Sequence, residues 1–125
     1  MFAVDIEHLS LKNSNYRQVV NTTVNMQLVV MSLNANQEIG IEKHVNATQF
    51  IRVEKGEGLA IIYDKNKQNP QQHILKDGVS VMINGGTYHN IIAGCTGLKL
   101  YTLYSPPQHK PGLIQPIKVE ENEED

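Results

Sequence analysis

Glu42 and His44 stand two residues apart, Gln49 follows them, and His89 closes a second stretch running Gly78-Val-Ser-Val-Met-Ile-Asn-Gly-Gly-Thr-Tyr-His89. On an extended strand, residues at i and i+2 leave the same face, so Glu42 and His44 would point together. With Gln49 and His89 they make a set of four oxygen and nitrogen donors. A carboxylate, two imidazoles and an amide oxygen suit a divalent ion of the Zn, Mn, Fe, Co or Ni group. Off the metal, Glu42 would serve as a catalytic base. Gln49 stands evenly between ligand and plain cavity hydrogen-bonding group, because amides are weak ligands. Isolated histidines are ordinarily just hydrogen-bonded; the spacing is what argues for ligation here.

Positioning such a set requires strands, and the chain reads as strands. Its 125 residues fit one domain, large enough to bury a core without metal or disulfide staples. With six per cent aromatic residues and no Trp, that core must rest on Val, Ile, Leu and Met. Residues 1–25 suggest a short edge strand or an irregular lead-in rather than a long helix. Met26–Leu33 is an apolar run of strand length, stopped by Asn34-Ala-Asn-Gln37. Gln49–Glu54 and Leu59–Tyr63 flank Lys55-Gly-Glu-Gly58, which predicts a hairpin. Gln72–Leu75 and Val79–Ile83 follow as short strands. His89–Ala93 then leads into a turn at Gly94–Gly97, and Leu98–Tyr104 is the last strong strand, ended by Ser105-Pro-Pro107. Many short strands with turn chemistry between them indicate an all-β antiparallel barrel or sandwich.

Composition narrows the function classes. The net charge is −2, and the acidic end Glu120–Asp125 accounts for it, leaving a slightly basic body without a Lys/Arg cluster. Nucleic-acid binding is not expected. No apolar run is long enough to span a bilayer, and no basic-then-apolar leader opens the sequence, so a soluble, cytoplasmic protein without membrane contact is expected. Cys95 is the single cysteine, which excludes an internal disulfide and a Cys-rich zinc site. It sits between Gly94 and Thr96 with no base in a neighbouring motif. Tyr88, Tyr101 and Tyr104 are candidates to line a pocket, against the commoner role of cross-strand packing. Arg52 and Lys99 are candidates to hold a substrate phosphate or carboxylate, against solvated surface charge.

The two stretches resemble the paired motifs of the cupin superfamily. The first family motif runs Gly, five residues, His-x-His, three or four residues, Glu, six residues, Gly. Its positions fall here on Asn36, Glu42, His44, Gln49 and Gly56. The second runs Gly, five residues, Pro-x-Gly, two residues, His, three residues, Asn, and falls on Gly78, Asn84, Gly86, His89 and Ala93. Every spacing holds, while Asn36, Glu42, Gln49, Asn84 and Ala93 depart in identity. Thr48-Gln-Phe50, Gly56-Glu-Gly58, Thr87-Tyr-His-Asn90 and Leu98–Pro107 further resemble the subset labelled mannose-6-phosphate isomerase-like.

The resemblance implies a single cupin jelly-roll β-barrel over residues 1–112, with residues 113–125 as an arm and acidic tail, partly disordered, and a homodimer. It implies a metal at Glu42, His44, Gln49 and His89. It also implies a metal-dependent protein acting on a small polar molecule, in the manner of a sugar-phosphate isomerase or, with iron, a dioxygenase. The alternative is a non-catalytic cupin used for sugar binding, sensing or assembly, since one fold hosts many chemistries.

Overall fold

Gln27-Leu-Val-Val-Met-Ser-Leu33 is extended, as its apolar run predicts, and lies inside the sheet with a neighbour on each side. The structure, a computed structural model, describes residues 1–119. In chain order the elements are α1 (Ile6–Lys12), β1 (Arg17–Thr22), β2 (Gln27–Leu33), β3 (Thr48–Ile62), β4 (Gln71–Leu75), β5 (Ser80–Ile83), β6 (His89–Ser105) and β7 (Ile114–Gln115). The strands pair antiparallel in the order β4-β3-β6-β2-β1-β7, with β5 also on β3. This is the all-β, jelly-roll type of barrel that the sequence predicts. Among the described residues no helix is long and apolar enough to cross a membrane.

Two expected reversals are absent. The hairpin predicted at Lys55–Gly58 and the turn predicted at Gly94–Gly97 are instead irregular points in two long strands, β3 and β6, which pair with each other along most of their length. The register slips between Val53 and Lys55 and again between Gly56 and Gly58. Bulges of this kind bend a strand without ending its pairing. Gly56 has φ +96, and a Cβ on it would sit 2.1 Å from the Gly97 carbonyl oxygen. Glycine here permits a close backbone crossing, which the sequence pattern alone reads as a turn.

The lead-in also differs from expectation. Residues 6–12 form a short helix, because the Asp5 side chain caps it by accepting from His8 N–H at 3.0 Å. Glu7 in its first turn and Lys12 in its last suit the helix dipole. The arm expected from residue 113 onward is tied down over its described part. Ile114 and Gln115 pair with Gln18 and Arg17, and Tyr16 N–H donates to Pro116 O. The acidic end, expected to be disordered, lies outside the described residues.

Cross-strand partners share a face, so the interior can be read in rungs. Arg17, Met31, Leu100 and Val53 make one, and Val19, Val29, Thr102 and Ile51 the next. Gln27, Tyr104 and Gln49 make a third, with Ile83 beyond Gln49. The middle rung is mostly apolar and fully buried. The third is polar, and it lies at the end of the barrel that carries the site.

Candidate metal centre

Glu42 and His89 lie directly opposite each other. Each backbone N–H donates to the other's carbonyl at 2.9 Å, a mutual pair that sends both side chains to one face. The loop before His89 is pinned to the segment carrying His44, since Gly86 N–H donates to His44 O at 2.9 Å. Gly86 has φ +81, which glycine takes freely, so losing the family's proline at Asn84 leaves this turn intact. Asn36, where the family carries glycine, is itself left-handed at φ 62, a conformation asparagine tolerates.

The side chains converge accordingly. Glu42 Oε1 lies 3.3 Å from His44 Nε2 and 3.5 Å from His89 Nε2. One ligand atom from each of the three residues falls within 4.8 Å of the others. His89 Nδ1 is 2.8 Å from the Thr87 carbonyl, which can only accept, so Nδ1 carries the proton and the Nε2 lone pair faces the cluster. That Nε2 is buried and makes no hydrogen bond. Burial by itself would raise the Glu42 carboxyl, but when His44 and His89 are protonated their hydrogen bonds and charge outweigh it and hold it well below the usual carboxylate range. Glu42 is therefore ionised throughout the neutral range. A carboxylate, two imidazoles of which one has its tautomer fixed, and an orphaned nitrogen fit a divalent ion.

Gln49 is brought to the same interior. It pairs across the strands with Tyr104, whose ring packs edge-on against His44 with centroids 5.2 Å apart. Its Nε2 donates to Thr102 Oγ1 at 3.0 Å, leaving a buried Oε1 with no partner.

The expected pocket residues divide differently. Tyr101, Lys99 and Arg52 occupy the strand positions alternate to Leu100, Thr102 and Val53, and so face outward. Tyr101 packs near Phe50, Lys99 donates to the Asn13 carbonyl that closes α1, and Arg52 lies 3.6 Å from Glu54. The period-two alternation that makes Tyr104 inward makes its odd-numbered neighbours outward. Tyr88 carries Lys43 and Lys67 over its ring, at 4.6 and 5.1 Å.

Two interior groups had no role in the sequence reading. His109 packs edge-on against Tyr104, with Nε2 3.4 Å from its hydroxyl. The loop carrying it is held by buried Gln27, which accepts from His109 N–H at 3.0 Å and donates to His109 O at 2.7 Å. Burial, followed by the Arg17 charge, pulls the His109 imidazole down to about 4. Arg17 is only 4% exposed, and shares a face with Met31 and Leu100. Its place two residues before Val19 in a strand was the available signal. Burial raises Tyr104 above the ordinary phenol range, with Glu42 adding to the effect.

No protein-family model matches the chain. Protein L612 of Acanthamoeba polyphaga mimivirus is 41% identical over 116 residues, which cover 91% of this chain and 71% of L612. The crystal structure of BH2720 from Bacillus halodurans matches with a TM-score of 0.86 and 34% identity, over 92% of this chain and 88% of that one. An RmlC-like cupin from Desulfovibrio desulfuricans matches with a TM-score of 0.69 at 19% identity, over 86% and 99% of the two chains. The rungs and these likenesses agree: the chain belongs to the family of L612 and BH2720, and its fold is that of the RmlC-like cupin.

Proposed function

We propose that this protein binds one divalent metal at Glu42, His44 and His89, with Gln49 as a fourth, weaker donor, and acts on a small polar molecule inside the barrel. The observation that carries this reading is the buried Nε2 of His89, turned to Glu42 and His44 by its Nδ1–H bond to Thr87 and left without a hydrogen bond. A bound ion would supply Lewis-acid polarisation of a carbonyl or hydroxyl oxygen.

The chain's own residues take distinct parts in it. Glu42, ionised and held between two imidazoles, acts as a ligand; its low basicity suits it poorly to take a proton. His109 is neutral at pH 7 and lies beside the Tyr104 hydroxyl, so it serves as a hydrogen-bonding partner of that hydroxyl rather than as a strong base. Tyr104 and the third-rung amides exclude bulk water from that end. Sugar-phosphate isomerisation is one reaction of this class and remains the enzymatic form the motif resemblance suggests.

Metal content of protein purified without chelators tests the reading. One ion per chain is expected, falling to background in the His44→Ala, His89→Ala double variant with its melting transition retained. Wild-type protein that neither carries nor takes up Zn²⁺, Mn²⁺ or Fe²⁺ would overturn it.

A further inference from the structure

Arg17 is an interior cation that no carboxylate of the described residues pairs with. Among the described residues its only side-chain hydrogen bond runs from Nη1 to the Gln115 side-chain oxygen, at 2.7 Å. Its guanidinium also lies over the Tyr16 ring, 5.2 Å from the centroid. Its Nε is fully buried and makes no hydrogen bond, and no acidic group of the described residues pairs with it.

Leaving a guanidinium in this state is costly, because a buried charge loses its hydration and recovers only part of it from one neutral acceptor and one aromatic face. A neutral amide at Gln115 satisfies one donor and none of the charge. The fork formed by Nε–H and the neighbouring Nη2 is the side-on edge of arginine that receives two oxygens of a carboxylate or phosphate at once. That edge is the unpaired one here. The strand position also matters: β1 places Arg17 on the inward face, on the rung of Met31 and Leu100, rather than on the solvent face that Gln18 occupies.

Among the described residues the other buried acid, Glu54, lies 3.6 Å from Arg52 and pairs there rather than with Arg17. Glu42 is already held by His44 and His89, and a divalent ion among them would leave the interior positive overall. His109 and Tyr104 stand in the electrostatic field of both Arg17 and Glu42.

We infer that Arg17 anchors an anionic ligand: a small organic molecule whose carboxylate or phosphate oxygens dock on the open guanidinium edge while its other polar end faces Glu42, His44 and His89. This deepens the metal-site reading and rests on it for the ligand's second end. The shared chemistry is a compact oxyanion on a small carbon skeleton, so neutral sugars and apolar molecules are poor fits.

The test measures binding of oxalate, glycolate and inorganic phosphate to wild-type, Arg17→Gln and Arg17→Lys proteins, each metal-free and loaded with Mn²⁺. The wild type is expected to bind at least one of these anions, with oxalate and glycolate distinguishing a carboxylate ligand from phosphate. Arg17→Gln should weaken that binding at least tenfold while changing Mn²⁺ affinity less than threefold. Arg17→Lys, which keeps the charge but loses the fork, should recover only part of it. Stability supplies a readout that does not depend on the ligand: Arg17→Met should melt above the anion-free wild type, since it removes an unpaired buried charge. Equal anion binding by wild type and Arg17→Gln would overturn the inference, as would no melting shift of wild type with any of the three anions at about a hundredfold excess over an expected millimolar affinity. A large destabilisation by Arg17→Met would show a structural cation and also overturn it. Failure of the metal reading looks different: Mn²⁺ then binds none of the proteins, while the metal-free wild type still loses its anion on substitution.

Discussion

His109 offers a pH test of the polar end of the barrel. Its folded-state value is pulled down from 6.5 to about 4, first by burial and then by the Arg17 charge, with His44 adding and Glu42 opposing. The unfolded chain therefore takes up a proton between pH 6.5 and about 4 that the folded protein refuses. Proton uptake by the unfolded state favours unfolding, so stability is full above pH 6.5 and is lost as the pH falls through this window. At about 1.4 kcal/mol per pH unit the loss has an upper bound of about 3 kcal/mol. Partial contact of the ring with water reduces that to about 2 kcal/mol. Urea unfolding of metal-free protein at steps from pH 7.5 to 4.5 should show wild-type stability falling by that amount more than His109→Gln. Glu42 does not confuse the comparison, because its stabilising effect is lost only as the pH drops below 4.5, and both proteins share it. Titration of the His109 ring by NMR gives the same quantity directly, and Arg17→Gln should move it back up toward 6.5. Parallel stability curves for wild type and His109→Gln, or a ring titrating near 6.5 in the wild type, would refute both the burial and the influence of Arg17.

Gln49→Leu should weaken metal affinity about tenfold, or about 1.4 kcal/mol, if its unpartnered Oε1 is the fourth donor; unchanged affinity by calorimetry would leave it a hydrogen-bonding residue of Thr102 only. Gly56→Ala should cost about 3 kcal/mol or more by chemical denaturation, since its Cβ would meet the Gly97 oxygen at 2.1 Å and its φ is +96. A loss under about 1 kcal/mol would mean that β3 and β6 separate easily at the bulge.

Much of the site was legible because ligand spacing and strand alternation are both local. Glu42 and His44 at i and i+2, and the count forward to Gln49 and Gly56, single out the candidate donors before any fold is known. Tyr104 could be assigned inward only with its register on Gln49 and Gln27 in hand. Tyr101, Arg52 and Lys99 were misplaced for the same reason. A one-residue choice of face is invisible in a strand that is apolar on both sides, as Leu98–Tyr104 nearly is. The glycines at 56 and 97 likewise carry two meanings, reversal or close crossing, and only the partner strand distinguishes them.

What the amino-acid sequence determined is therefore the candidate donor set, the strand-rich barrel and the positions where the backbone needs freedom, all properties of residue type and short-range spacing. What the tertiary structure decided is which side chains share the interior. It turned His89 by a hydrogen bond to Thr87, lowered His109 by burying it against Tyr104, and enclosed Arg17 with no acid of the described residues paired to it. Those outcomes depend on desolvation and on charges brought together from residues 17, 42, 89 and 109. Burial and long-range proximity are set by the packed chain as a whole and by no local pattern within it.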